Sequence, residues 1–187
     1  MLPFSTSRFL QTALVCALLT LSACTPKYDW REVRGADAAF VVLLPAKATS
    51  YSRPVTLDGK KVTMTMSAAE VDGVTFAVAT AKFADAAQAQ AALIAMKIAM
   101  VKNIDGTIKL EKSSTSDKTN GAAVDRISTI EIDASGSAGT NTGGQARRLI
   151  ARFVARDNRV YQVMMVGSAK AMKPEAIDTF FTSFKLN

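Results

Sequence analysis

The sequence predicts an α+β fold: a largely antiparallel sheet of seven or eight strands, with one helix in mid-chain and one at the C-terminus. Three observations predict it. Short apolar runs of strand character recur along the chain, several of them joined by Asp-Gly or Asp-Asn turn signals. The run from Asp85 to Asn103 is instead apolar at helical spacing, and the last segment opens on Pro174 and repeats Ile177, Phe180, Phe181 and Phe184 at i, i+3, i+4 and i+7. The composition, 187 residues with 49% apolar and 21% charged, suits one packed globular domain and excludes a disordered or collagenous chain.

Taken in order, Ala39 to Leu44 is a continuous apolar run ended by Pro45, which reads as a buried strand. Arg53 to Leu57 and Lys61 to Ser67 flank Asp58-Gly59 and form a hairpin, with Val62, Met64 and Met66 alternating against Thr63 and Thr65. A second turn at Asp72-Gly73 leads into the alternating strand from Val74. Asp85 is the N-cap of the central helix, with Gln88 completing a capping box. On that helix Leu93, Met96 and Met100 lie on one side, Ile94, Ile98 and Val101 on the next, and Lys97 falls between them. Strands follow over Thr107 to Ser113 and Ala123 to Ile132, separated by a polar turn at Thr115 to Gly121. The parity of Val124, Ile127, Ile130 and Ile132 slips around Arg126 to Thr129, which predicts a bulge there.

After the Gly/Ser/Thr/Asn loop from Ala134 to Gln145, Leu149, Ala151, Phe153 and Ala155 face one way. Arg148, Ile150, Arg152, Val154 and Arg156 face the other. Asp157-Asn158 turns the chain into Val160 to Gly167, nearly all apolar and therefore expected in mid-sheet.

Ahead of this domain, Arg8 is followed by an apolar run from Phe9 to Leu21 and then by small residues, the pattern of an export signal. The four residues Leu21-Ser22-Ala23-Cys24 resemble the lipobox of bacterial lipoproteins. That resemblance implies diacylglycerol on the Cys24 sulfur, cleavage before Cys24 and acylation of the new amine. Thr25, in place of the Asp that retains such proteins at the inner membrane, implies the periplasmic face of the outer membrane. The expected organisation is a signal peptide over 1–23, a lipidated tether over 24–38 and a single domain over 39–187. Loss of the leader, which holds one Arg and no acid, leaves 164 residues and lowers the net charge from +7 to +6. Cys16 leaves with the leader, so no intramolecular disulfide is expected and the core must supply the stability. Within the tether, Tyr28 and Trp30 either rest at the lipid interface or cap the edge of the domain.

The order of elements is similar to the PsbP-like α/β/α sandwich, which also includes LpqN-type lipoproteins. The resemblance rests on FVVLLPAK, the two hairpins, the long helix after them, and VYQVMMVG followed by PEAIDTFFTSFKL. It covers about residues 39 to 187. It implies a binding or assembly accessory with no common catalytic centre.

The residues themselves point the same way. There is no histidine, which removes the commonest general base and metal ligand, and the one cysteine of the mature chain is committed to lipid. Ser168 with Lys170, and Thr115 with Lys118, are the remaining dyads for a Ser/Lys hydrolase, but both occupy turn-like segments where a lysine stays solvated. Glu131 and Asp133 share a strand face and suit acid/base work or a hard cation; cross-strand pairing with Arg148 and Arg152 explains them without a ligand. Gly136, Gly139, Gly143 and Gly144 lack the Lys-Ser/Thr ending of a phosphate loop. Arg148, Arg152 and Arg156 form a row that either meets an envelope protein, lipid or cell-wall polymer or is a solvated, partly paired sheet face. Lys97 either snorkels over apolar surface or marks a partner site on the helix.

The expectation is a non-enzymatic, lipid-anchored envelope protein acting as a binding or assembly accessory, with no cofactor or metal and no nucleic-acid partner. A carrier of a small ligand or lipid is the first alternative and requires an apolar cavity between sheet and helices; one lined by Met64, Met66, Phe76 and Met165 would favour it. A Ser/Lys or carboxylate hydrolase is the second.

Overall fold

Asp-Gly pairs punctuate the first strands because a two-residue hairpin turn of type I′ needs positive φ at both central positions. Asp58 and Gly59 adopt φ of 47° and 72°, and Asp72 and Gly73 adopt 54° and 69°. The computed structural model describes residues 27–120, 123–137 and 146–187. The leader, Cys24, the tip of the polar turn and residues 138–145 of the glycine loop lie outside the described residues.

The chain order is β1 (Arg31–Arg34), β2 (Phe40–Leu44), β3 (Thr49–Leu57), β4 (Lys60–Val71), β5 (Val74–Lys82), α1 (Ala86–Asn103), β6 (Gly106–Asn120), β7 (Ala123–Ser137), β8 (Ala146–Arg156), β9 (Arg159–Gly167), α2 (Pro174–Ser183) and β10 (Lys185–Leu186). Among the described residues the strands make a seven-stranded sheet in the order β3-β4-β5-β9-β8-β7-β6 and a three-stranded sheet in the order β1-β2-β10. Every pairing is antiparallel. The expected α+β class and antiparallel sheet are therefore present, and β9 is the central strand. The strand count is higher than expected, because β1 and β10 carry little apolar signal and gain their place by pairing with β2.

Two cores sandwich the large sheet. On one face α1 packs through Ala89, Ala92, Leu93 and Met96 onto Ala77, Ala79 and Ala81 of β5, Ala151 and Phe153 of β8, and Val160 of β9. Small side chains on both sides let the helix approach the sheet. Asp85 caps it, accepting from the Gln88 amide at 2.8 Å and from Gln88 Nε2 at 2.9 Å. On the other face α2 and the small sheet bury Phe40, Val42, Phe180 and Phe184 against Phe76, Tyr161, Val163 and Met165. The large sheet separates Met64 from Phe76 and Met165, so the four residues named for a carrier cannot line one cavity.

Two local expectations are corrected. The bulge is in β6, between Ile108 and Leu110, and β7 pairs without interruption. The parity slip in β7 reflects a strand used on both faces: Ile127 packs toward α2 while Ile130 and Ile132 pack toward α1. The polar segment after Ser113 is also strand, continuing to Asn120, where pairing with β7 replaces burial as the organising interaction. At the other end, part of the segment expected as a tether is docked. Arg31 to Arg34 pair with β2, and Tyr28 stacks on Trp30 at 5.5 Å with both rings against Phe76.

One polar side chain interrupts the α1 core. Gln162 is 3% exposed, and its Nε2 donates only to the thioethers of Met164 at 3.3 Å and Met100 at 3.5 Å. Sulfur is a weak acceptor, so most of the desolvation cost of the amide is uncompensated. Gln162→Leu is expected to raise stability by about 1 kcal/mol. Urea unfolding checks this, and a lowered midpoint would refute it.

Candidate functional site

The seven-stranded sheet is wider than the layer formed by the small sheet and α2. That layer covers β5, β9 and part of β8 and reaches β7 only at Ile127, leaving β6 and the rest of β7 open on the same face. The step between α2 and the uncovered strands is a groove of about 370 Å³. Leu110 and Ile150 form its floor and Ile177 and Phe181 of α2 its wall. Lys112, Asp178, Thr182 and the charged pairs of β7 and β8 complete the rim.

The sheet register explains these pairs. Glu131 stands directly opposite Arg152 on one side and Lys112 on the other, and Arg152 Nε donates to Glu131 Oε1 at 2.6 Å. Arg148 lies opposite Ser135 and reaches diagonally to Asp133, donating from Nε at 3.0 Å and from Nη2 at 2.6 Å. Arg156 lies opposite Ile127 and reaches Asp125 in the same way, with Nε to Oδ1 at 3.0 Å. The hydrogen bonds from Arg148 to Asp133 raise the guanidinium pKa further above its ordinary value. Burial pushes the nearby Tyr161 hydroxyl up as well.

Arg152 and Arg156 also join separate elements. Arg152 Nη1 donates to the Phe181 carbonyl at 3.0 Å and its guanidinium lies 5.7 Å from the Phe181 ring centroid. It thus satisfies a last-turn carbonyl of α2 and places positive charge at the negative end of the helix. Arg156 Nη1 donates to the Asn187 carbonyl at 3.1 Å. The row Arg148, Arg152 and Arg156 is therefore brought together on one face, as its spacing predicts, with each charge paired. Lys97 lies on the opposite side of the sheet, with Nζ donating to Glu111 Oε1 at 2.7 Å. Ile94 and Ile98 remain exposed on the outer side of α1.

Arg152→Met keeps the stem over Phe181 but removes the pairing with Glu131 and the bond to the helix. Because both partners are partly solvated, the expected loss is about 1–2 kcal/mol, with a smaller additional loss when Glu131→Gln is combined with it. A double-mutant cycle with additive effects would contradict the coupling.

The groove pairs opposite charges on its rim and carries aliphatic and aromatic side chains inside. That chemistry suits an uncharged or zwitterionic group with an apolar part. Of the hydrolase dyads, Lys170 is exposed, the Lys118 side chain lies outside the described residues, and Thr115 Oγ1 is 3.5 Å from Ser128 Oγ. Among the described residues no three His, Cys, Asp or Glu side chains gather as they would around a metal ion, and no helix is long and apolar enough to cross a membrane.

Leu110, Ile177 and Phe181 were not among the site residues that sequence patterns single out. Ile108 and Leu110 have the same parity and read as one face; the bulge turns Leu110 over to the groove. The α2 stripe signals burial, and only the width of the sheet decides that its flank borders an open space. Comparison of the chain with protein-family models, and with curated protein sequences, yields no match.

Proposed function

We propose that this chain is a lipid-anchored protein of the bacterial cell envelope, held through Cys24 and acting as a non-catalytic binding or assembly accessory. The observation that carries the reading is the Leu21-Ser22-Ala23-Cys24 sequence behind an export leader. The layered arrangement of α1, the large sheet, and α2 with the small sheet supports a PsbP-like sandwich as the finer fold reading. The groove beside α2 supplies the binding surface. Its volume lies within the range of about 300–1,000 Å³ usual for small-molecule sites, which keeps a carrier as the second reading, with the ligand bound here.

Cys24→Ala is the direct test. The wild-type protein is expected in the membrane fraction, with acyl mass on its N-terminal peptide. The variant is expected to lose that mass and accumulate as uncleaved precursor. An unmodified Cys24 in the mature wild-type protein would refute the anchor. A photo-crosslinking residue at Leu110 tests the groove: an adduct absent from a probe at Asp58, on the β3–β4 turn, supports binding there, and equal labelling at both sites argues against it.

A further inference from the structure

The described chain begins at a fixed place on the sheet. Lys27 forms an ion pair with Asp72 at the β4–β5 turn, the Asp29 amide donates to the Pro45 carbonyl at 2.9 Å, and Tyr28 and Trp30 pack on Phe76. Only three chain steps separate Cys24 from Lys27. Fully extended, they span about 10 Å. If Cys24 carries lipid, the surface around Asp72-Gly73 is held within that distance of the membrane interface.

Register identifies what else lies at this end. The ladder from Val71–Val74 passes through Thr75–Val166, Arg148–Gly167 and Gly136–Arg147 to Gly106–Gly136. Lys109, Arg147 and Ala169 border one recess there, and Lys102, Asp105 and Gly106 border the next. Near this row Lys102, Lys109, Arg147 and Lys170 have no acidic partner within salt-bridge distance among the described residues, with Glu70, Asp105 and Glu175 in the first turn of α2 as the opposing charges. Ile98, one turn before Lys102 and 59% exposed, adds an apolar group. At the opposite end of the sheet the β6–β7 hairpin overhangs its neighbours, since pairing of β7 with β8 stops at Ile127–Arg156 while β6 and β7 continue to Asn120–Ala123.

From these placements we infer that the end of the sheet bearing Asp72-Gly73, Lys102, Lys109, Arg147 and Lys170 rests on the phospholipid headgroups, and that the overhanging β6–β7 hairpin points away from the bilayer. The inference builds on the lipid anchor and adds the orientation of the domain. Short attachment supplies the proximity, and the basic side chains favour an anionic surface. The groove then opens sideways, above the headgroups and accessible to a partner.

Lysine acylation footprinting of the full mature protein in vesicles tests this. On phosphatidylethanolamine–phosphatidylglycerol vesicles, Lys102, Lys109 and Lys170 are expected to react several-fold more slowly than in detergent. Lys60, Lys61 and Lys82, at the opposite end, are expected to be unchanged. The difference is expected to shrink on phosphatidylcholine vesicles and at about 1 M salt, where the Debye length is about 3 Å. Equal protection of both ends, or none at either, overturns the orientation. Protection seen in native membranes but not in vesicles overturns the lipid surface in favour of an envelope protein at this end. The mass of the N-terminal peptide in the same digest reports the anchor separately. Lipid on Cys24 without protection defeats the orientation alone, and protection without lipid defeats the anchor alone.

Discussion

Phe76→Ala is expected to destabilise the protein by about 3–5 kcal/mol and to lower its melting midpoint by about 6–20 °C. Phe76 is 1% exposed at the centre of the second core. Its ring meets Phe180 edge-on at 5.4 Å, Trp30 at 6.1 Å and Tyr28 at 6.4 Å, so one side chain joins α2, the large sheet and the N-terminal segment. Truncation removes the apolar contact and leaves a cavity bounded by rings from two separate elements, Phe180 of α2 and Tyr28 and Trp30 of the N-terminal segment, which cannot all collapse onto it. Trp30 is the only tryptophan in the chain, so its emission reports this junction directly. A red shift in the folded variant is expected as the Tyr28–Trp30 segment loosens. Phe76→Leu, which keeps much of the volume, is expected to cost about 1 kcal/mol and to preserve the emission. A Phe76→Ala protein with wild-type emission and stability would show that residues 28–30 are not held by this core.

The same region shows how far sequence reasoning extends. Hairpins and the central strand are legible because their signals are local: Asp58-Gly59 and Asp72-Gly73 demand a particular backbone, and an apolar strand such as β9 must be covered on both faces. The pairing of Glu131 and Asp133 with Arg152 and Arg148 is legible for a related reason, since strand parity places all four on one face. What escaped has a non-local cause. Arg31 to Arg34 look like a solvated tether until β2 supplies a partner strand. The β6 bulge lies between Ile108, packed against the α1 core, and Leu110, on the groove side, and nothing in their alternation announces it. The groove exists because the sheet is broader than its second cover, a relation between elements that no single segment encodes.

Gly136 carries the second large effect. In the sequence it belongs to a glycine-rich stretch with a faint resemblance to a phosphate cradle; in the fold it is a strand residue of β7, paired with Gly106 on one side and Arg147 on the other. A Cβ at Gly136 would lie 2.8 Å from the Gly106 Cα and 3.0 Å from the Asp105 carbonyl carbon, and would also press on the Ile104 carbonyl oxygen. All three are main-chain atoms, so no rotamer change can relieve the overlap. The glycine is required for space, since its φ is not in the left-handed region. Gly136→Ala is therefore expected to cost about 2–3 kcal/mol, whereas the neighbouring Ser135→Ala changes stability by about 0.5 kcal/mol or less. The strain falls on the turn that carries the chain from α1 into β6, just before the bulge that delivers Leu110 to the groove. Two readouts separate this account from general destabilisation. Amide exchange is expected to accelerate first at the C-terminal turn of α1 and the start of β6, and crosslinking from a probe at Leu110 is expected to fall in protein that remains folded. If Gly136→Ala unfolds at the wild-type midpoint with unchanged exchange around Ile104, α1 does not approach β7 as closely as the packing requires.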